Sequence, residues 1–212
     1  MGIYFYCGIL LFIAAEIVLF WYLSLRAPSK IKIISVILGI MVFLRYFTLV
    51  LFYLKDNIIY LYLFKPLFFM QYIYIPLIAF ITIYIFMKKV KINFSYIFIV
   101  LAVLLVIYLM LIIKVPVTLE YIENFGYTMN FKDSELMNWI YLGINTVVLL
   151  AVLFFRGWQI NRGCLITILI TSVVSIVEII LFMCNMTLEM QPIIGEICWL
   201  LTYIYALNKV KK

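Results

Sequence analysis

The sequence contains no histidine. That excludes histidine-based acid–base catalysis, imidazole ligation of haem and most zinc sites. Cysteine is scarce as well. Cys7, Cys164, Cys184 and Cys198 form no CxxC pair, so redox and iron–sulfur motifs are missing. Cys7 and Cys184 fall near one surface and are open to pairing, although four small apolar thiols are the plainer expectation. No cofactor or metal is expected. Charge of both signs is sparse at 12% of the chain, and the nine acidic residues are outnumbered by sixteen Lys and Arg. No GxSG or GxGD motif occurs, and no carboxylate inside an apolar segment has a second at helical spacing. A two-acid catalytic pair is therefore not supplied, and the chain reads as no enzyme.

What fills the chain instead is apolar. Of 212 residues 69% are hydrophobic, with 18 Phe and 17 Tyr, and the mean hydropathy is +1.25. No soluble core needs so much apolar sequence, which places the chain in a lipid bilayer. The aromatic excess suits belts at both membrane interfaces. A net charge of +7 then reads as basic loops on one side of the membrane, not as a nucleic-acid surface. The abundance of Ile, Lys, Tyr, Phe and Asn is that of AT-rich bacterial proteins, and implies a multi-pass protein of a bacterial plasma membrane.

The longest run is Ile58 to Phe86, where one charge, Lys65, and one amide, Gln71, interrupt an apolar and aromatic stretch. It exceeds the ~20 residues a helix needs to span a hydrocarbon core. Helix is expected because a lipid-embedded segment must satisfy its own backbone. Pro66 and Pro76 are expected to bend it, with other helices packed around its polar half. Seven such segments can be drawn, at roughly 3–25, 33–54, 58–87, 94–113, 137–155, 164–183 and 193–207. The first lacks a basic leader and is too long for a signal peptide, so it is kept as a helix. Orientation follows from the loops. One set of ends carries Arg26, Lys30, Lys32, Lys88, Lys89, Lys91, Arg156, Arg162, Lys209, Lys211 and Lys212, with no acidic residue. The other carries Lys55, Lys114 and Lys132 among six acids. The expected fold is a single-domain, all-α bundle of seven transmembrane helices, N-terminus outside and C-terminus inside.

The long loop 116–136 alternates apolar and polar residues on both sides of Asn124-Phe125-Gly126. That pattern suggests a small extracytoplasmic β-hairpin cap, with a plain loop as the even alternative. Asn185-Met186-Thr187 matches a glycosylation sequon, but it sits close to a helix end and has no meaning in a bacterium.

Five charges remain inside the helices: Glu16, Arg45, Lys65, Glu178 and Glu196. Each costs about 2.5–3.5 kcal/mol near the bilayer centre, so partners or water are expected. Arg45, Lys65, Glu178 and Glu196 share the outer half on four different helices, while Glu16 lies deeper. Thr171, Ser175 and Glu178 share one helical face, as do Glu196, Trp199 and Tyr203. Gln71 and Tyr72 follow Lys65 by about two turns. Two readings stay open. One is an outward pocket for a small or zwitterionic ligand, lined by Arg45, Lys65, Gln71, Tyr72, Glu178, Glu196 and Trp199, with Glu16 below. The other is a set of ion pairs that hold the bundle together.

The third segment has an aromatic-Gln-Tyr step before an internal proline, Phe69-Met70-Gln71-Tyr72 to Pro76. The 116–136 segment leads into an aromatic entry at Leu136-Met137-Asn138-Trp139, and the last helix ends on basic residues, Asn208 to Lys212. In these features the chain resembles the seven-helix N-terminal sensor region of bacterial histidine kinases and related signalling proteins. The resemblance implies a sensor that passes an external signal to an output module. No phosphoacceptor histidine, nucleotide-binding motif or signalling helix follows the last segment here, and Lys114-Val115-Pro116 replaces the Asn-Pro-His type step of many relatives. An input module working through another membrane protein, or a truncated chain, is then implied. Arg45-Tyr46 alone is similar to luminal retrieval receptors. A non-enzymatic sensor or receptor-like module is the first expectation. A small transporter or permease subunit is the second, although no internal repeat supports it. A structural or immunity-type membrane protein is the third. The bilayer and a signalling or transport partner protein are the expected partners, with no nucleic acid.

Overall fold

The structure is a computed structural model, which describes residues 2–54, 58–86, 95–122, 126–132, 134–154, 162–184 and 192–210. Helices dominate it: α1 (Gly2–Leu25), α2 (Ser29–Leu54), α3 (Ile58–Leu63), α4 (Lys65–Phe68), α5 (Gln71–Phe86), α6 (Ser95–Lys114), α7 (Ser134–Phe154), α8 (Arg162–Met183) and α9 (Ile194–Val210). Two strands, β1 (Val117–Ile122) and β2 (Gly126–Phe131), stand between α6 and α7. Six segments are long and apolar enough to cross a membrane: Cys7–Leu25, Ser29–Leu54, Lys65–Phe86, Tyr96–Lys114, Glu135–Phe154 and Gly163–Met183. The chain is thus a helical, multi-pass membrane protein. α9, with 17 residues, is about 25 Å long at 1.5 Å per residue.

The third segment departs from the expected single bent helix. Pro66 has no N–H to continue the ladder of α3, so the chain turns at Phe64 and restarts with Pro66 in the first turn of α4. A second break follows at Phe69–Met70. There the amides of Tyr72 and Ile73 reach back only three residues, to Phe69 O at 3.2 Å and Met70 O at 3.0 Å. Such short steps take Tyr72 N–H away from Phe68 O, its α-helical partner. Pro76 lies inside α5 without ending it.

α5 is the centre of the bundle. In the span Lys65–Phe86 that contains it, 72% of the most apolar window is buried, against 11% in that of α6, which lies at the edge with its apolar side chains facing outward. α5 packs on α9, α6, α2 and α7, while α1 lies against α2 and α9. α9 runs antiparallel to α2: Glu196, early in α9, meets Arg45, late in α2, and Tyr203 meets Ser35 at 2.6 Å further down.

Within 116–136, β1 and β2 pair antiparallel, with Val117 opposite Phe131 and Ile122 opposite Gly126. The base of the pair is closed by the Lys132 amide donating to Pro116 O at 3.0 Å. β2 turns Met129 and Phe131 into the protein, and Phe131 stacks on Phe69 with 3.9 Å between ring centroids. The turn residues Asn124 and Phe125 lie outside the described residues, as do the sequon at 185–187 and the expected loop charges at 55, 56, 88, 89, 91, 123, 133, 156, 189, 211 and 212. Gly126 has φ +83°, and a Cβ there would stand 2.9 Å from Phe52 O and 3.0 Å from Tyr53 Cα at the end of α2. Only glycine suits both this φ and the close approach. Gly126→Val is expected to cost at least the ~1–2 kcal/mol of a left-handed side-chain residue. The hairpin should then be cut faster than wild type in limited proteolysis, and an unchanged cleavage pattern would show that it does not rest on α2.

All four cysteines are free thiols, with Cys7 and Cys184 exposed and Cys164 buried.

Candidate functional site

Breaking a helix inside a membrane frees backbone groups that lipid cannot satisfy. The break at Phe69–Met70 is met by Arg45 from α2, whose Nη1 donates to Phe68 O. The same guanidinium lies over the Phe68 ring, 5.1 Å from its centroid, and its Nη2 donates to Glu196 Oε1 at 3.2 Å. Glu196 is saturated from other sides. Its Oε2 accepts from Tyr46 Oη at 2.9 Å and from Tyr74 Oη. Arg45 and Glu196 are 0% and 1% exposed, so this is a dry pair, and the hydrogen bonds to Phe68 O, Tyr46 and Tyr74 help to offset its desolvation. One buried junction therefore ties α2, the broken third segment and α9 together.

Two of the other expected charges, Lys65 and Glu178, bond to helix ends. Lys65 turns to the end of α6, where Nζ donates to Ile112 O at 2.6 Å and Val115 O at 2.7 Å. A cation is favoured there by the helix dipole and by carbonyls without an intrahelical donor. Tyr108 Oη, donating to Pro66 O, closes the same clasp. Lys65→Met should unfasten this end of α6 from α4 at a cost of about 1–3 kcal/mol. Hydrogen exchange should speed up at the amides of residues 113–115, and unchanged protection there would refute the clasp.

Glu178 turns to the opposite kind of helix end. Its Oε1 accepts from Ile194 N at 2.7 Å and its Oε2 from Gly195 N at 2.6 Å, so that the α8 carboxylate caps α9. That is where an anion belongs on a helix. Gly195 permits the approach, since a Cβ would lie 2.8 Å from Glu178 Oε2 and 2.8 Å from Ser175 Oγ. Trp199, also fully buried, donates from Nε1 to Asn145 Oδ1 at 3.0 Å. Asn145 passes this on through Nδ2 to Tyr141 O at 3.0 Å. Thr171 and Thr202 join α8 to α9 at 2.6 Å. α9 is thereby bonded to α2, α5, α7 and α8 at once. Glu16 in α1 is buried, and neither carboxylate oxygen has a hydrogen-bond partner among the described residues.

A pocket does lie beside the junction, of about 40 Å³, under β2 and between α5, α7 and α8. Gln71 and Tyr72 line it, but Glu16, Arg45, Lys65, Glu178, Glu196 and Trp199 do not. The expected floor of aromatics is present in Phe69, Tyr72, Phe131 and Tyr141, whose rings meet edge-on or stacked. Among the described residues no charged side chain lines this pocket, and Arg45, Lys65, Glu178 and Glu196 bond between helices instead. Sequence reasoning missed Tyr46, Tyr74, Asn145 and Tyr141. Asn145 carried a usable signal, an amide in mid-helix that must find a partner in lipid. The tyrosines did not, since a tyrosine-rich membrane chain reads as interfacial belts.

Chemically the described residues of the site offer hydrogen bonding and packing. Among the described residues no group of His, Cys, Asp or Glu is placed to hold a metal ion. Comparison with protein-family models, with curated proteins and with solved structures finds no match to the chain.

Proposed function

We propose that the chain is a non-enzymatic sensor or receptor-like module of a cell membrane, in which an event at the hairpin end is passed to the opposite end through α9. In this reading seven helices cross the bilayer, α9 included. The N-terminus and the hairpin lie outside, and the basic ends lie inside, as the charge bias of the loops favours. The observation that carries the proposal is the junction at Glu196. A helix broken next to a pocket is joined, through one buried carboxylate, to a helix running to the far end of the bundle. Such a junction is an element that two sites can bias, which coupling between them needs. It agrees with the resemblance to kinase sensor regions, and a signalling partner in the membrane would be the recipient.

One observation favours a second reading, a small transporter or permease subunit. Broken helices line the substrate sites of many transporters, and Glu16 is a buried carboxyl with no partner among the described residues. Proteoliposomes loaded with a pH-sensitive dye separate the two. The receptor reading expects an imposed pH gradient to decay no faster than in protein-free vesicles. Faster decay that Glu16→Gln abolishes would overturn it in favour of transport. Orientation is checked by single cysteines. One at Glu120 should label in intact cells, and one at Lys209 only after the membrane is opened; the reverse pattern would invert the topology.

A further inference from the structure

The long helices other than α1 are each tied to a neighbour by a side-chain hydrogen bond: α2, α5, α7 and α8 to α9, and α6 to α4. Among the described residues no such bond leaves α1, which rests on α2 and α9 by packing. Its buried residues are Ile13, Glu16, Phe20 and Ser24, spaced by three or four so that they form one stripe. Phe20 meets the Tyr203 ring with 5.4 Å between centroids, and a Cβ at Gly39 would stand 2.9 Å from Phe20 Cε1. One turn away on the same stripe is Glu16, at 2% exposure. α2 and α9 lie wholly within the described residues, and neither offers the Glu16 carboxylate a hydrogen bond.

A carboxylate enclosed in this way would be a charge without water, cation or donor, and a protein avoids that by keeping the neutral acid. The groups that could answer its charge are engaged with one another. Arg45 of α2 is bonded to Glu196 and to Phe68 O, Tyr46 of α2 to Glu196, and Tyr203 of α9 to Ser35. Cys198 of α9 is within electrostatic reach of Glu16, and a thiol brings no positive charge.

We propose that Glu16 is a proton-binding site and that its proton keeps α1 docked on α2 and α9. When the proton leaves, for water that enters the opening seam, the carboxylate is solvated only if α1 moves off its neighbours. The docked state accepts the neutral acid alone and the released state accepts either form, so rising pH favours release. α1 ends at Leu25 and α2 begins at Ser29, a turn too short to let the joined ends separate. Release therefore parts the far ends of the two helices. Phe20 against Tyr203 sets this movement beside α9, to which four other helices are bonded. The inference goes beyond the receptor reading, because a proton site that holds α1 serves a receptor or a transporter alike.

The test uses the full chain in nanodiscs and two readouts. Infrared spectra at pH 7 should show a protonated-carboxyl C=O band that Glu16→Gln lacks and that wild type loses at pH 10. Spin labels at Cys7 in α1 and at Leu54→Cys in α2, both exposed positions, report the far ends. Cys164, Cys184 and Cys198 are replaced by alanine, which also removes the thiol near Glu16. At pH 7 the chain with Glu16 and the chain with Glu16→Gln should give the same distance distribution. At pH 10 the chain with Glu16 should gain a population at longer distance, and Glu16→Gln should not. Glu16→Leu, also neutral, should behave as Glu16→Gln does. Absence of the acid band at pH 7 would overturn the inference. So would a distribution unchanged at pH 10, or an equal shift in Glu16→Gln. A shift set by sodium at constant pH would overturn it in favour of a metal cation. Loss of folded protein in both neutral variants would do the same in favour of a charged Glu16.

Discussion

Arg45→Leu alone should lower the stability of the folded chain by about 3–5 kcal/mol, the loss expected when one member of a dry ion pair is removed. Three partners are stranded at once: the Glu196 carboxylate, the Phe68 carbonyl at the helix break, and the Phe68 ring face. Glu196→Leu should cost a similar amount, since it strands the guanidinium and the hydroxyls of Tyr46 and Tyr74. The double substitution Arg45→Leu with Glu196→Leu should cost no more than the worse single, because neither charge is then left buried. It should not return to wild type, since Phe68 O and two tyrosine hydroxyls still lack partners. Thermal unfolding of all four proteins in nanodiscs gives a coupling of about 3 kcal/mol on this account. Additive losses would mean that the two charges stand apart.

The second large effect is expected at the start of α9. Gly195→Val puts a branched side chain where 2.8 Å separates the Cβ position from the Glu178 carboxylate and from Ser175 Oγ. The carboxylate must leave, and two charge-assisted bonds to α9 go with it, about 3–5 kcal/mol together. Glu178→Gln is the milder control. Its carbonyl can still accept one amide, so a loss of about 1–2 kcal/mol is expected. No loss in Glu178→Gln beside a full loss in Gly195→Val would show that Gly195 matters for space alone and that the cap contributes little.

The helical membrane class was legible because lipid imposes one strong rule on long apolar runs. The ends shifted for local reasons. α2 begins at Ser29 and α7 at Ser134, both polar starts that a hydropathy window passes over. Which charge meets which was not legible. Depth places Arg45, Lys65, Glu178 and Glu196 at one level, but it says nothing of azimuth, and a helix end attracts a charge as effectively as an opposite charge does. Lys65 found carbonyls and Glu178 found amides for that reason. The longest run drew attention to residues 58–86, and α5 is indeed the buried centre. The polar bonds converge on α9 instead, the least apolar of the long helices, where Glu196 and Tyr203 reach α2, Trp199 reaches α7 and Thr202 reaches α8. A helix that polar can lie in a membrane only if protein surrounds it, and that inference was open from the sequence. The break at Phe69–Met70 was not, because neither residue disfavours a helix. It is held by Arg45 from another element.

The most direct test of the account asks whether loosening the Glu196 junction is felt at the far end of α9. Spin labels at Lys32, near the start of α2, and at Asn208, near the end of α9, report that separation. Both positions are exposed, and both lie at the end away from the hairpin. Pulsed dipolar distances in an otherwise cysteine-free chain are compared between wild type and Glu196→Gln, at a temperature where both are folded. The account predicts a shifted or clearly broadened distance distribution in Glu196→Gln. A folded Glu196→Gln chain with the wild-type distribution would contradict it, and would leave the junction as a fastening between helices with nothing to transmit.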